Sequence, residues 1–168
     1  IRLACGLIRP DRGTIAVLGR DPVRSHRAVT GDVGYLSQRF SLYELLTVDE
    51  NIRFFGGVYG LTPGRLAARR RFVLEMAGLI GREQTLARDL AGGWRQRLAL
   101  GCAILHEPAI LFLDEPTGGV DPLSRRQFWR LIDVLSQGGV TVLVTTHYLD
   151  EAERCHRVAL IHAGRLAA

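Results

Sequence analysis

Apolar residues along this chain come in short runs, and several of the runs stop abruptly at a polar side chain. In "AILFLDEP", five apolar residues, Ala109 to Leu113, lead directly into Asp114 and Glu115. The β-branched run "VTVLVTTH" ends at His147, and "DVGYLSQ" ends at Gln38. Continuous apolar runs of this length, bounded by polar residues, read as strands buried on both faces. Helical segments separate them. "AGGWRQRLALGCAILHE" reads as a helix opened by glycines, and "YLDEAERC" as a short one. Asp121 and Pro122 read as the N-cap and first turn of a helix running to about Gln137. "RVALIHAG" and the middle of "RPDRGTIAVLGRDP" read as further strands. Strand and helix alternate, which predicts an α/β fold around a largely parallel sheet. The central block differs. "TVDENIRFFGGVYG" opens with a capping box, Thr47 as N-cap and Glu50 three residues on, and helical character broken by Gly and Pro continues to about Leu90. The predicted organisation is one domain, with an α/β core over about 1–46 and 91–168 and an inserted helical subdomain over about 47–90.

Composition sets bounds on this picture. The 168 residues are 47% apolar and 23% charged, as in ordinary globular domains, and set disorder aside. The three cysteines, Cys5, Cys102 and Cys155, have no metal-ligand spacing and are odd in number, which favours a reduced compartment. No apolar run approaches the length of a membrane helix. The formal net charge is +5, much of it from "RLAARRR", Arg65 to Arg71, which reads more simply as a solvated helix face than as a nucleic-acid or lipid contact.

The candidate chemistry lies at the strand ends, because open parallel sheets bind ligands at the carboxyl ends of their strands. Asp114 and Glu115 are adjacent and so point to opposite sides, which gives them different roles. The first can hold a metal ion, and the second can reach a water beside it, an arrangement suited to phosphoryl transfer. A turn capping a helix is the alternative for "DEP" taken alone. "LAGGWRQR", Leu90 to Arg97, places two glycines at a helix start, where backbone N–H groups and the helix dipole favour an anion such as phosphate. As a bare Gly-Gly cap it would be a structural turn.

Together these motifs resemble, in order and spacing, the nucleotide-binding domain of ATP-binding-cassette (ABC) transporters, a P-loop NTPase-like fold. "LAGGWRQR" resembles the family signature, "ILFLDEP" the Walker B strand with its catalytic glutamate, "GGVD" the D-loop, "VTTH" the switch histidine and "YLSQ" the Q-loop. The resemblance implies an ATPase using ATP and Mg²⁺. Asp114 would help hold Mg²⁺ through water, Glu115 would polarise the attacking water, and His147 would contact the γ-phosphate. Gln38 would link metal and phosphate to the membrane-facing surface. Leu90, Ala91, Gly92, Gly93 and Gln96 would form the signature face, with the glycines on the γ-phosphate of ATP held by a second copy, and Asp121 would cross that interface. The implied partners are a membrane subunit and a second nucleotide-binding domain, identical or not, with no nucleic acid. The implied location is cytoplasmic, peripheral on the inner face of the membrane.

This sequence departs from the family pattern twice. The phosphate loop G-x-x-x-x-G-K-[ST] does not occur, and Ile1 falls where the helix after that loop would be under way, so a truncated domain that binds ATP weakly is expected. Ala91 stands where the signature serine is usual, a loss of one neutral hydrogen bond, about 1 kcal/mol. "SLYELLTVDENIRFFGGVYGL" and "THYLDEAERCHRVALIHAGRL" are similar to cassettes of multidrug and antibiotic exporters with separate membrane subunits. In such cassettes Tyr43 and nearby apolar side chains would face the membrane subunit, or Leu42, Leu45 and Leu46 would be ordinary packing residues. The alternatives are a soluble ABC-type ATPase acting on DNA or ribosomes, and a non-catalytic remnant that binds a partner.

Overall fold

The structure is a computed structural model and describes residues 1–25, 29–38 and 42–167. Three of the apolar runs form one parallel sheet: β1 (Val33–Leu36), β2 (Ile110–Asp114) and β3 (Thr141–Thr145), in the order β1-β2-β3. Tyr35 lies opposite Phe112, which lies opposite Leu143, and Asp114 lies opposite Thr145. All three strands therefore end on the same side of the sheet. Leu111 and Leu113 are fully buried, as the unbroken apolar run of β2 requires of a central strand covered on both faces.

The helices begin where their caps place them. α1 (Val48–Val58) starts at Thr47, whose hydroxyl accepts from Glu50 N at 3.2 Å while the Glu50 carboxylate accepts from Thr47 N at 2.8 Å. α2 (Pro63–Ala77) opens on a proline and ends at Gly78, which takes the left-handed conformation, φ 67°. α3 (Gly92–Ala103) is the glycine-started helix, α4 (Pro122–Gln137) is capped by Asp121, and α5 (Leu149–Ala152) is one turn. α3 lies at the centre: Leu98 and Leu100 are fully buried beside Ile52 of α1 and Val73 of α2. Each such side chain withdrawn from water is worth about 1.5–3 kcal/mol. Gly101 permits the close approach of α3 to α2, since a Cβ there would strike the Val73 methyls.

The arginine-rich stretch is more engaged than a solvated face. Arg65 and Arg69 pair with Glu107 at 2.7 and 3.4 Å, Arg69 also donates to the Ile104 and Leu105 carbonyls, and Arg70 pairs with Asp49 of α1. These contacts tie α2 to the end of α3 and to α1. Burial opposes ionisation of Asp49, but hydrogen bonds from Arg70 and Arg53 outweigh it and hold the carboxyl below its ordinary value.

Two expected strands do not join the sheet. The first collapses to a single bridge, Val17 with Arg20, and the last to a hairpin of β4 (Ile161–His162) with β5 (Arg165–Leu166). The cause is shared. Leu18–Gly19 and Ala163–Gly164 have positive φ at both positions, the mark of a two-residue hairpin turn, so each segment folds back on itself. Asn-Gly or Asp-Gly would have announced such turns, whereas Leu-Gly and Ala-Gly do not. The three cysteines are free, and among the described residues no helix is long and apolar enough to cross a membrane.

Candidate functional site

The three strand ends converge on one carboxylate. β2 carries its chain past Asp114 into Glu115, which turns sharply out of the strand with φ 46°. Glu115 N is anchored to the Thr145 carbonyl at 3.0 Å, so the turn is fixed to the neighbouring strand. The Glu115 carboxylate, about one-third exposed, accepts from the Gln38 amide at 2.8 Å and lies 3.5 Å from His147 Nδ1. Gln38 follows β1 and His147 follows β3. Three residues far apart in sequence thus meet because their strands are neighbours in the order β1-β2-β3.

Asp114 points elsewhere, as strand alternation requires. Its Oδ1 accepts from the Thr145 hydroxyl at 2.6 Å. This leaves the other oxygen for a ligand, and register pairing with Thr145 fixes its direction. Asp114 and Gln38 offer hard oxygen donors of the kind Mg²⁺ takes, and Mg²⁺ keeps several waters when few protein groups reach it. The set fits Mg²⁺ held largely through water.

The signature segment divides in two. Ala91 and Gly92 are exposed, and a Cβ on Gly92 would meet nothing within 4 Å. Both glycines lie in the first turn of α3, where backbone N–H groups have no intrahelical acceptor and can bind an anion. Gly93, however, is buried against Ser124 of α4, with a Cβ falling 2.6 Å from Ser124 Cβ. The side chains of Leu90 and Gln96, both expected on the nucleotide-binding face, lie in the core, 3% and 0% exposed. The reason is helical spacing: 93, 96 and 100 share the face of α3 that packs inward. The Gln96 amide has no hydrogen-bond partner among the described residues. Asp121 is exposed and caps α4, its Oδ1 accepting from Leu123 N at 3.0 Å and Ser124 N at 2.9 Å. The Ser124 side chain, with these N–H groups, holds its carboxyl below the ordinary value.

Sequence reasoning missed Thr145, Ser124, Thr117 and Glu151. Each matters through a cross-strand or cross-helix contact that no local pattern records. One departure was open to simple counting: the sequence has 22 arginines and no lysine, so no residue of this chain can act as the phosphate-loop lysine.

A parallel sheet whose strand ends present an acid pair, a glutamine and a histidine defines a candidate phosphoryl-transfer site. The profile of the ABC transporter family matches residues 1–118, and the chain belongs to that family. It is 47% identical over 99% of its length to a probable multidrug ABC transporter ATP-binding protein of Escherichia coli, of which it covers 29%. It is 40% identical over its full length to a daunorubicin resistance ATP-binding protein of Streptomyces coeruleorubidus, covering 54% of that protein. A solved structure described as the ATP-binding subunit of an ABC transporter superposes with a TM-score of 0.86 at 29% identity, covering 99% of this chain and 70% of the other. The chain thus spans between about a third and about half of these curated relatives.

Proposed function

We propose that these residues belong to the ATP-binding subunit of an exporter, hydrolysing ATP with Mg²⁺ to drive a small molecule through a partner membrane subunit. The observation that carries this is the Glu115 carboxylate, held at a strand end between Gln38 and His147. A carboxylate so placed can take a proton from water, and the neighbouring amide and imidazole orient it. Mg²⁺, held through water by Asp114 and Gln38, would offset phosphate charge. Glu115 accepts the proton of the attacking water, and His147 donates toward the oxygen where charge develops. The names of the relatives, multidrug transport and daunorubicin resistance, support export of a small molecule.

The exposed first turn of α3, Ala91 and Gly92, serves a nucleotide held by a second domain, with Asp121 on the same interface. The helical block 47–90 forms a separate subdomain on the α/β core. The outer surface of this block and of the segment just before it presents Tyr43, Leu45, Phe54 and Val58, all exposed, with the Tyr43 and Phe54 rings in edge contact at 4.4 Å. This apolar face suits a membrane subunit. Leu42 is buried and belongs to packing, and Leu46 is half-buried. Such a subunit would hold the domain at the cytoplasmic face of the membrane. Without a phosphate loop in residues 1–168, this chain should bind Mg-ATP weakly. Fluorescent-nucleotide titration of this chain and of one with a phosphate loop joined upstream of Ile1 tests the proposal. Strong binding only with the loop supports it, and equal affinity in the two forms contradicts it, as does no binding in either.

A further inference from the structure

Behind the exposed cluster stands a carboxylate that the proposed reaction does not use. Glu151, in α5, is 1% exposed. One of its oxygens accepts from the Thr146 hydroxyl at 2.6 Å, and the other accepts from the Thr117 hydroxyl. Thr117, itself buried, lies two residues beyond Glu115, and Thr146 immediately precedes His147. The Thr146 oxygen also accepts from Tyr148 N at 3.0 Å, so that hydroxyl is fixed from both sides. Arg125 of α4 completes the group. Its Nε lies 3.9 Å from Glu151, and its guanidinium lies over the Tyr148 ring at 4.1 Å. The Tyr148 ring in turn packs against the His147 ring with centroids 4.2 Å apart.

Burying a carboxylate is costly unless charge and hydrogen bonds compensate. Here two hydroxyls and a nearby guanidinium do so. α5 is a single turn, too short to hold Glu151 by helix propensity, so these contacts are what fix it. Both hydroxyls come from loops that carry the candidate reacting groups. An ionised carboxylate only accepts, with two oxygens, and so suits two facing donors.

We propose that Glu151 is a positioning residue, a strut that locks the turn after Glu115 to the turn bearing His147 by accepting from Thr117 and Thr146 at once. The role presupposes Glu115 and His147 as the reacting groups. Its consequence is that a change at Thr117 is felt at His147 chiefly through Glu151, beside the direct contact of Glu115 with His147.

The test is NMR on the 168-residue chain without nucleotide. The His147 ring signals are assigned with His147→Gln, and the His106 ring serves as a remote control. Thr117→Val removes one hydroxyl at nearly constant volume. It should displace the His147 ring signals and weaken the His147–Tyr148 ring NOE, and Thr146→Val should do the same, with His106 unmoved. In a Glu151→Gln background, Thr117→Val should have a much smaller effect. His147 signals unchanged in folded Thr117→Val and Thr146→Val would overturn the proposal, as would an undiminished Thr117→Val effect once Glu151 is replaced. If Glu151→Gln loses the folded His106 signal, the two Thr→Val variants decide alone. These spectra involve no hydrolysis, so they can fail while the ATPase assignment stands, or hold while it falls.

Discussion

The two signature glycines should respond oppositely to the same substitution. Alanine in a helix is favoured over glycine by about 1 kcal/mol, and Gly92 has open space where the Cβ would go. Gly92→Ala should therefore stabilise the chain, by somewhat less than that amount because the site is in the first turn. At Gly93 the new Cβ would lie 2.6 Å from Ser124 Cβ, where carbon atoms normally stand about 3.5–4 Å apart. Rotating the serine moves its hydroxyl but not its Cβ, so the starts of α3 and α4 must separate. Overpacking of this kind costs about 1–3 kcal/mol and the helix gain offsets at most about 1 kcal/mol of it, so Gly93→Ala should be destabilising by up to about 2 kcal/mol. Ser124→Gly removes the obstruction, and the double variant should recover most of the loss relative to Ser124→Gly alone. Urea unfolding of the four variants and the parent measures each value and the coupling. Equal stabilisation by both alanines, or no coupling between positions 93 and 124, would refute the packing described for this helix start. The same geometry means that a defect from a bulky residue at position 93 reports helix packing first, and phosphate contact is better probed at Gly92.

Further outcomes follow from the ion pairs and the buried imidazole. Asp49→Asn leaves Arg70 and Arg53 without their anion and should destabilise the chain by about 2 kcal/mol in urea unfolding, the scale of a charged hydrogen bond. Since the Asp49 carboxyl is held below 3.8, its contribution is complete above that pH and is lost as pH falls through the folded value, so the parent and the variant should converge in strong acid. His106 stacks on Tyr59 at 3.8 Å, and burial, ahead of the nearby arginines, lowers its pKa below 6.5. The unfolded chain then binds the proton first, so stability should fall as pH drops below 6.5, and His106→Gln should flatten that part of the unfolding profile. In a form carrying a phosphate loop, Ala91→Ser adds a donor at the exposed helix start and should leave phosphate release equal or faster, and a large loss would count against the signature face.

Much of this site could be read from the chain because strand ends are visible in sequence. Gln38, Glu115 and His147 each follow an apolar run, and the sheet order does the rest. Thr47, Glu50 and Asp121 were equally legible, since caps are local. Packing was not. Nothing in "LAGGWRQR" shows that Gly93 and Gln96 face inward while Gly92 faces out, because that depends on which side of α3 meets α4. Glu151 looks like any helix acid in "DEAE", and only the fold brings Thr117 and Thr146 to its two oxygens. The two expected strands failed for a reason of the same local scale as the caps, but Leu-Gly and Ala-Gly carry no strong turn signal.

The division of labour between Asp114 and Glu115 is the central claim, and one paired measurement tests it most directly. In a form carrying a phosphate loop, phosphate release and size-exclusion chromatography with Mg-ATP are compared for the parent, Glu115→Gln and Asp114→Asn. The glutamine keeps the size and the contact with His147 but cannot take a proton from water, and general-base catalysis contributes about 10²- to 10⁴-fold. Glu115→Gln should therefore bind ATP nearly as the parent does, lose turnover by at least that range and accumulate as an ATP-bound dimer. Asp114→Asn should lose turnover through its metal site without trapping a dimer. Parental turnover in Glu115→Gln, or a better dimer trap in Asp114→Asn, would contradict the account.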